Sequence, residues 1–579
     1  MNKKKIMCCC SQKSVEVIDS SLRYPQQHGN NKKSICDLSN SHLSQININN
    51  NDDKKNQSIK SDKSKQKEDF TNDINKLKEA ILKKPNDDSA YFKLGKIYLQ
   101  SKNYAKALEI FKKSVEINKN NETLFLNKGI CEFNLRKYEE SIESFDKGML
   151  IDKNDINLYL NKGAALNHLK KYDDAIDCFK KGLLIKYDDG SIYNNLGVSY
   201  FRKGEFQKSI EFYDEAIKYS KNDPLPLNNK GASLKGLKKY KEALDFFDKA
   251  IEIAPNDPLS YYNKGNTYKA LEDYDKALSE LDHAIYLNDK YINAYFHKGL
   301  VLNIVGRYDE AIENFDICIE INPKFSKAYL NKGISLDMQN KLEESLIQID
   351  KAIKVNSKYI EAYLNKGIIL VKLNKYEEAI KYYDKVIDLK SDEPTAYNNK
   401  GVCFFKLKKY EKAIENYNLA LHFEQNYLDA YINKGRCLIM LNKIQDAIRQ
   451  FDKAIKIKND FSSAYFNKGM AFNALKGKAN VKKAIELLNM AIQYQDDFYE
   501  AHYNKGCILM NLGDYTEALK SFKKCLELEG DKIDEECENK IKECNINITM
   551  ALDKDKDKGG EKQNNNIQEE NEGEEKEEF

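Results

Sequence analysis

Apolar and small residues recur along this chain with a helical spacing nested inside a 34-residue one. Gly95 returns as Gly129, Gly163, Gly197, Gly231, Gly265, Gly299, Gly333, Gly367, Gly401, Gly435 and Gly469, and then, after three extra residues, as Gly506. Four positions before it stands an aromatic residue in most units, such as Tyr159, Tyr261 or Tyr363. Twelve after it, in the first eleven units, stands Ala or Ser, from Ala107 and Ser141 to Ala447. A large apolar residue follows four further on, among them Phe111, Phe179, Tyr213 and Phe451. At about 100° per residue, the aromatic, the glycine and the residue three beyond share one helical face. The glycine lets a second helix approach closely, and the small Ala or Ser does the same on that second helix. Turns such as Leu237-Lys238-Lys239 separate the two helices, and Asn-Asp pairs or Pro85, Pro255 and Pro323 separate one pair from the next. A fixed period of this length predicts a stacked array of helix pairs.

This pattern of aromatic, glycine, small and large apolar residues resembles the tetratricopeptide repeat family over thirteen repeats, residues 88–530. The resemblance implies an all-α fold, a right-handed alpha-solenoid superhelix of antiparallel helix pairs, and a role in binding other proteins. One departure is the residue before the glycine, usually Leu in the family and here mostly Lys, as in Lys128, Lys264 and Lys400. Such a lysine is expected to lay its stem on the packed surface and keep its ammonium in water. Residues 70–87 read as an N-terminal capping helix and 531–552 as a C-terminal one, each covering an open end of the stack. Three extra residues in repeat twelve, within the stretch from Lys476 to Val481, are expected to form a surface loop.

Outside the array, residues 1–69 are polar and 553–579 net acidic, and both are expected to be disordered. Cys8, Cys9 and Cys10 follow three lysines near the start. Two readings stand for them: an S-acylation site with a polybasic partner, giving peripheral membrane attachment, or three exposed thiols on a tail. With 94 basic and 91 acidic residues the formal charge is +3, which gives no general pull toward nucleic acid. No apolar run is long enough to span a membrane. The thirteen cysteines are mostly scattered and read as small core residues in a reducing, cytoplasmic compartment. His168, His283 and His297 read as surface or packing residues.

Phosphate loops, dinucleotide fingerprints and nucleophile elbows are missing from the sequence, so no catalytic residue, metal or cofactor is expected. The candidate site is instead a ladder two residues before the glycine. Asn127, Asn161, Asn195, Asn229, Asn263, Asn331, Asn365, Asn399, Asn433, Asn467 and Asn504 occupy it, interrupted only by Lys93 and His297. The position lies about 160° around the helix from the glycine, on the side expected to face the groove. An amide both donates and accepts, so each exposed asparagine would pair with the backbone of an extended client segment. In this respect the array is similar to the superhelix of O-linked N-acetylglucosamine transferase, without its catalytic region. The family's carboxylate clamp, with Lys or Arg three before the glycine and Asn one after, is not supported, since the first position holds residues such as Phe92, Leu126 and Tyr262. The function expected is a non-enzymatic scaffold binding extended or helical protein segments. The alternative is a subunit of a larger assembly, ciliary or trafficking, held through its convex face and ends.

Overall fold

The computed structural model describes residues 72–529 and 535–551. Cys8, Cys9 and Cys10, and both terminal tails, lie outside the described residues. Among the described residues there are helices and turns and no strand. A helix over 72–83 precedes thirteen antiparallel helix pairs, from Asp88–Gln100 with Tyr104–Ile117 to Tyr499–Asn511 with Tyr515–Glu529, and a last helix covers 535–551. The chain divides into two compact units at Lys324 and Phe325, so repeats one to seven belong to one and repeats eight to thirteen to the other. Each unit is an alpha-solenoid in which a repeat packs on its immediate neighbours.

Within a repeat the close approach centres on the recurring glycine. A Cβ on Gly163 would stand 2.4 Å from the Phe179 ring, and one on Gly435 would stand 2.3 Å from the Phe451 ring. Those rings are fully buried, as are Phe111, Phe145, Tyr213, Phe247, Phe315, Tyr383 and Tyr417 at the equivalent position. The small residue four before each ring, such as Ala175 or Ala447, is also fully buried. Tyrosines four before the glycine tie their repeat to the preceding loop. Tyr159, Tyr261, Tyr363, Tyr397, Tyr431 and Tyr465 each donate a hydroxyl hydrogen bond to the carbonyl six residues back, over 2.9–3.2 Å. His502 takes that place in the last repeat, its Nε2 lying 3.0 Å from the Asp496 carbonyl.

Every turn inside a pair holds one left-handed residue at the seventh position after the glycine. It is Gly204, Gly306 or Gly513 in three repeats, but Lys102, Arg136, Lys170, Lys238, Glu272 and others elsewhere. The three-residue insertion differs from the expected loop. The second helix of repeat twelve, Lys478–Tyr494, is 17 residues long where its counterparts have 14 or 15, so the extra residues lengthen the helix. Ala479 and Val481 are compatible with a helix, and Lys476 and Gly477 complete the turn with positive φ.

Candidate functional site

First helices of neighbouring repeats touch one another, whereas second helices pack mainly on the first helices either side. Within each unit the first helices therefore form the inner side, and the asparagine ladder lies on it. Its exposure is not as expected. Asn127, Asn161, Asn263, Asn331, Asn365, Asn399, Asn433 and Asn467 are buried, and Asn195, Asn229 and Asn504 are half-buried. Asparagine is short, and at a contact between two first helices it sits low between their backbones. Asn229 donates to Asn194 Oδ1 at 2.9 Å and Asn433 to Asn398 Oδ1 at 3.1 Å, both one helix away.

Most rungs spend their donor inside their own helix. Asn127, Asn161, Asn195, Asn331, Asn365, Asn467 and Asn504 each direct Nδ2 to the carbonyl four residues back, at 2.7–2.9 Å. That carbonyl already accepts a helix N–H, so the bond adds little to the helix and chiefly orients the amide oxygen. Several amides on the inner side remain incomplete. Asn263 has no partner for either polar atom, and Asn167, Asn228, Asn266 and Asn365 none for Oδ1. An unpartnered buried amide costs roughly 1–3 kcal/mol, so their clustering on one face is notable.

Lysine before the glycine does more than lay down its stem. Its ammonium reaches an aspartate sixteen residues back, on the second helix of the preceding repeat. The pairs Lys264–Asp248, Lys298–Asp282, Lys366–Asp350, Lys400–Asp384 and Lys468–Asp452 close to 2.5–2.9 Å, and Lys162–Asp146 and Lys230–Asp214 are also bonded. Where Leu196 replaces the lysine, Lys180 stands in place of the aspartate. That matched exchange was the sequence signal for the bridge.

Two further cations escaped the sequence reading. Lys235 and Lys269 stand four residues after Gly231 and Gly265, on the inner side of adjacent repeats. Burial, and for Lys235 also the charge of Lys269, brings each ammonium down to about 8. Two basic residues at one register, 34 apart, marked them.

The histidines pack against rings. His168 stacks on Tyr138 at 4.9 Å and His283 lies 4.2 Å from Tyr261. Burial, with the charges of Arg202 and Arg136, lowers His168 to about 4 and keeps it neutral. All nine cysteines among the described residues are free, and all but Cys507 are buried. Burial pushes the thiols of Cys131, Cys178, Cys318 and Cys437 up to about 12. No group of His, Cys, Asp and Glu among the described residues is arranged to hold a metal ion. No helix there is long and apolar enough to cross a membrane.

Comparison with curated proteins returns no match. Among solved structures, the chain is similar to one titled "Crystal structure of APC/C hetero-tetramer Cut9-Hcn1", at 14% identity over 83% of this chain and 94% of that one, TM-score 0.46. It is similar to yeast Tom70 at 16% identity over 80% and 96%, TM-score 0.38. YrrB, described as a TPR protein with an unusual peptide-binding site, is 27% identical over 33% of this chain and 98% of its own, TM-score 0.27. A family model described as anaphase-promoting complex, cyclosome, subunit 3 matches residues 72–148. Models described as tetratricopeptide repeat match 154–222, 224–257, 246–279, 292–325, 364–427, 428–461 and 499–532, together about half of the chain. With the helix pairs, the glycine–ring contacts and these matches in agreement, the chain belongs to the tetratricopeptide repeat family, whose fold serves in general as a scaffold for contacts between proteins.

Proposed function

We propose that this protein is a scaffold without catalysis of its own, which binds segments of other proteins along the inner, first-helix side of the array. The observation that carries this reading is the set of buried inner-face amides with unpartnered atoms, Asn167, Asn228, Asn263, Asn266 and Asn365. The backbone N–H and C=O groups of an extended segment are complementary to them. The ladder's role changes from the one read in the sequence: with Nδ2 mostly turned inward, the oxygen is the end offered to a client N–H. Successive first helices lie on the order of 10 Å apart, roughly three residues of extended chain per rung. The buried free thiols, held in their unreactive form, fit a reducing cytoplasm.

The test is a block variant, Asn331→Ala, Asn365→Ala, Asn399→Ala and Asn433→Ala, used beside intact protein in affinity capture from cells. Proteins captured by the intact chain should be lost by the block. A control with comparable destabilisation from the other side, Phe315→Leu, should keep them. Capture undiminished by the block would overturn the reading.

One observation favours the second reading, a subunit held through its outer face. Leu150 and Leu184 stand at equivalent positions on the second helices of repeats two and three, 80% and 88% exposed. Loss of partners in Leu150→Glu, Leu184→Glu but not in the asparagine block would select it. Attachment to membranes through Cys8, Cys9 and Cys10 is a separate proposal, checked by fractionating cells that carry all three as Ser.

A further inference from the structure

Two cations on the inner side of repeats five and six find no counter-charge among the described residues. Lys235 and Lys269 belong to the first helices Pro224–Gly236 and Pro258–Ala270, which pack directly on each other. At equal positions 34 residues apart on packed first helices they are stacked neighbours. Neither ammonium makes an ion pair with any described residue, and the nearest polar partner of Lys269 is His297 Nδ1 at 3.3 Å. Both are half-buried. Withdrawing an ammonium from water without a counter-charge is costly, and a bound anion would offset that cost.

The amides around this pair are also incomplete. Asn228, two turns before Lys235, and Asn266, one turn before Lys269, each bury an unpartnered Oδ1. Asn263 is 1% exposed and uses neither end of its amide. An adjoining first helix brings a further donor, Arg202, whose guanidinium meets the Asn167 carbonyl at 3.3 Å. At the same register in the other unit the arrangement is closed. Asp337, four residues after Gly333, takes both oxygens to Lys372 at 2.8 and 3.0 Å. The fold can thus supply a carboxylate at this position, and in repeats five and six it supplies lysine instead.

We propose that repeats five to seven hold an acidic side chain of a bound protein segment, its carboxylate set between the ammonium groups of Lys235 and Lys269. The proposal rests on the scaffold reading and names the chemistry of the client at one point of the inner face. A polynucleotide is not the partner favoured, because the two lysines are a local pair in a chain of near-neutral charge, not a track that follows a phosphate backbone.

The experiment uses the full chain and two fluorescein-labelled probes, acetyl-(Ala-Ala-Glu)4-amide and its glutamine counterpart, followed by anisotropy. The three-residue spacing matches one rung per repeat. The glutamate peptide should bind at least tenfold more tightly than the glutamine peptide, and raising the salt should erode the difference. Lys235→Met with Lys269→Met should remove that preference and leave glutamine-peptide binding unchanged. Lys235→Arg with Lys269→Arg should retain it, which separates loss of charge from loss of fold. Equal binding of both peptides, or a preference that survives the methionine pair, would overturn the carboxylate site while leaving groove binding standing. Binding of neither peptide would also overturn it, and the asparagine block then judges the scaffold reading by itself.

Discussion

Repeats one to six and repeats seven to thirteen begin their first helices in different ways. In the first group the residue eight before the glycine is Asp87, Asn121, Asp155, Asp189, Asp223 or Asp257. Each side chain accepts a hydrogen bond from a first-turn N–H. From repeat seven the same position holds Tyr291, Phe325, Tyr359, Glu393, Tyr427, Phe461 and Phe498, none with a side-chain cap bond. In both groups the cap residue's own carbonyl can take up the N–H three positions on, as from Leu158 and Ile192 at 3.2 and 3.1 Å and from Ala294, Ala362, Ala464 and Ala501 at 2.9–3.1 Å. The aromatic ring instead packs into the junction. Tyr291 meets Tyr262 at 5.3 Å, and Phe498 meets Phe466 at 5.1 Å beside Tyr465 and Leu488. The cap side chain acts through a hydrogen bond in one region and through burial in the other, so the two should respond differently to its loss.

The largest effect is expected at an aromatic cap. Phe498→Ala empties a buried site and should cost about 3–5 kcal/mol, read as lost hydrogen-exchange protection in repeats twelve and thirteen. Phe498→Asp should recover only about 1 kcal/mol of that through a side-chain cap. Full recovery would break the distinction between the regions. Next comes the packing that both regions share. Gly163→Ala and Gly435→Ala drive a methyl into rigid buried rings, and each should cost about 1–3 kcal/mol in denaturation experiments. Unequal costs would show that the difference extends beyond the helix ends. Asp155→Ala removes only a cap and should cost about 1 kcal/mol. The smallest effect belongs to the bridges that run through both regions. Asp146→Asn and Asp350→Asn remove half-exposed carboxylates, so each should cost about 0.5 kcal/mol or less, with the loss shrinking further in salt.

The helix pairs were legible because glycine, small residue and ring recur at fixed offsets, and a contact such as Gly163 with Phe179 needs only helical geometry to be foreseen. The asparagines were legible as a recurrence but not as buried groups. An angle on one helix gives the side on which Asn365 lies, whereas its burial depends on how near the next first helix comes. The extra residues of repeat twelve could be counted, yet their helical state depended on the turn moving with them. The aromatic caps went unread because a search for helix starts looks for polar side chains, and Tyr359 or Phe461 fixes the helix start by packing instead. Lys235 and Lys269 look like ordinary surface lysines until, in three dimensions, neither is seen to pair with an acid among the described residues.

The lysine–aspartate bridge also bears on how such an array lengthens or shortens. Lysine and its aspartate lie on opposite sides of a junction, sixteen residues apart, in most repeats. From Asp214 to Lys400, excision of one 34-residue unit, as by unequal crossing-over between gene copies, would therefore bring each lysine to another aspartate already at the right distance. The exceptions restrict where that can happen: Lys128 faces Lys112, Lys434 faces Asn418 and Lys505 faces Asn489. Lys180 faces Leu196, and a deletion that replaced repeat four by repeat five at that junction would set Lys180 against Lys230, one cation opposite another. Units are thus interchangeable without loss of the bridge only in the middle of the series, and each end keeps an order of its own.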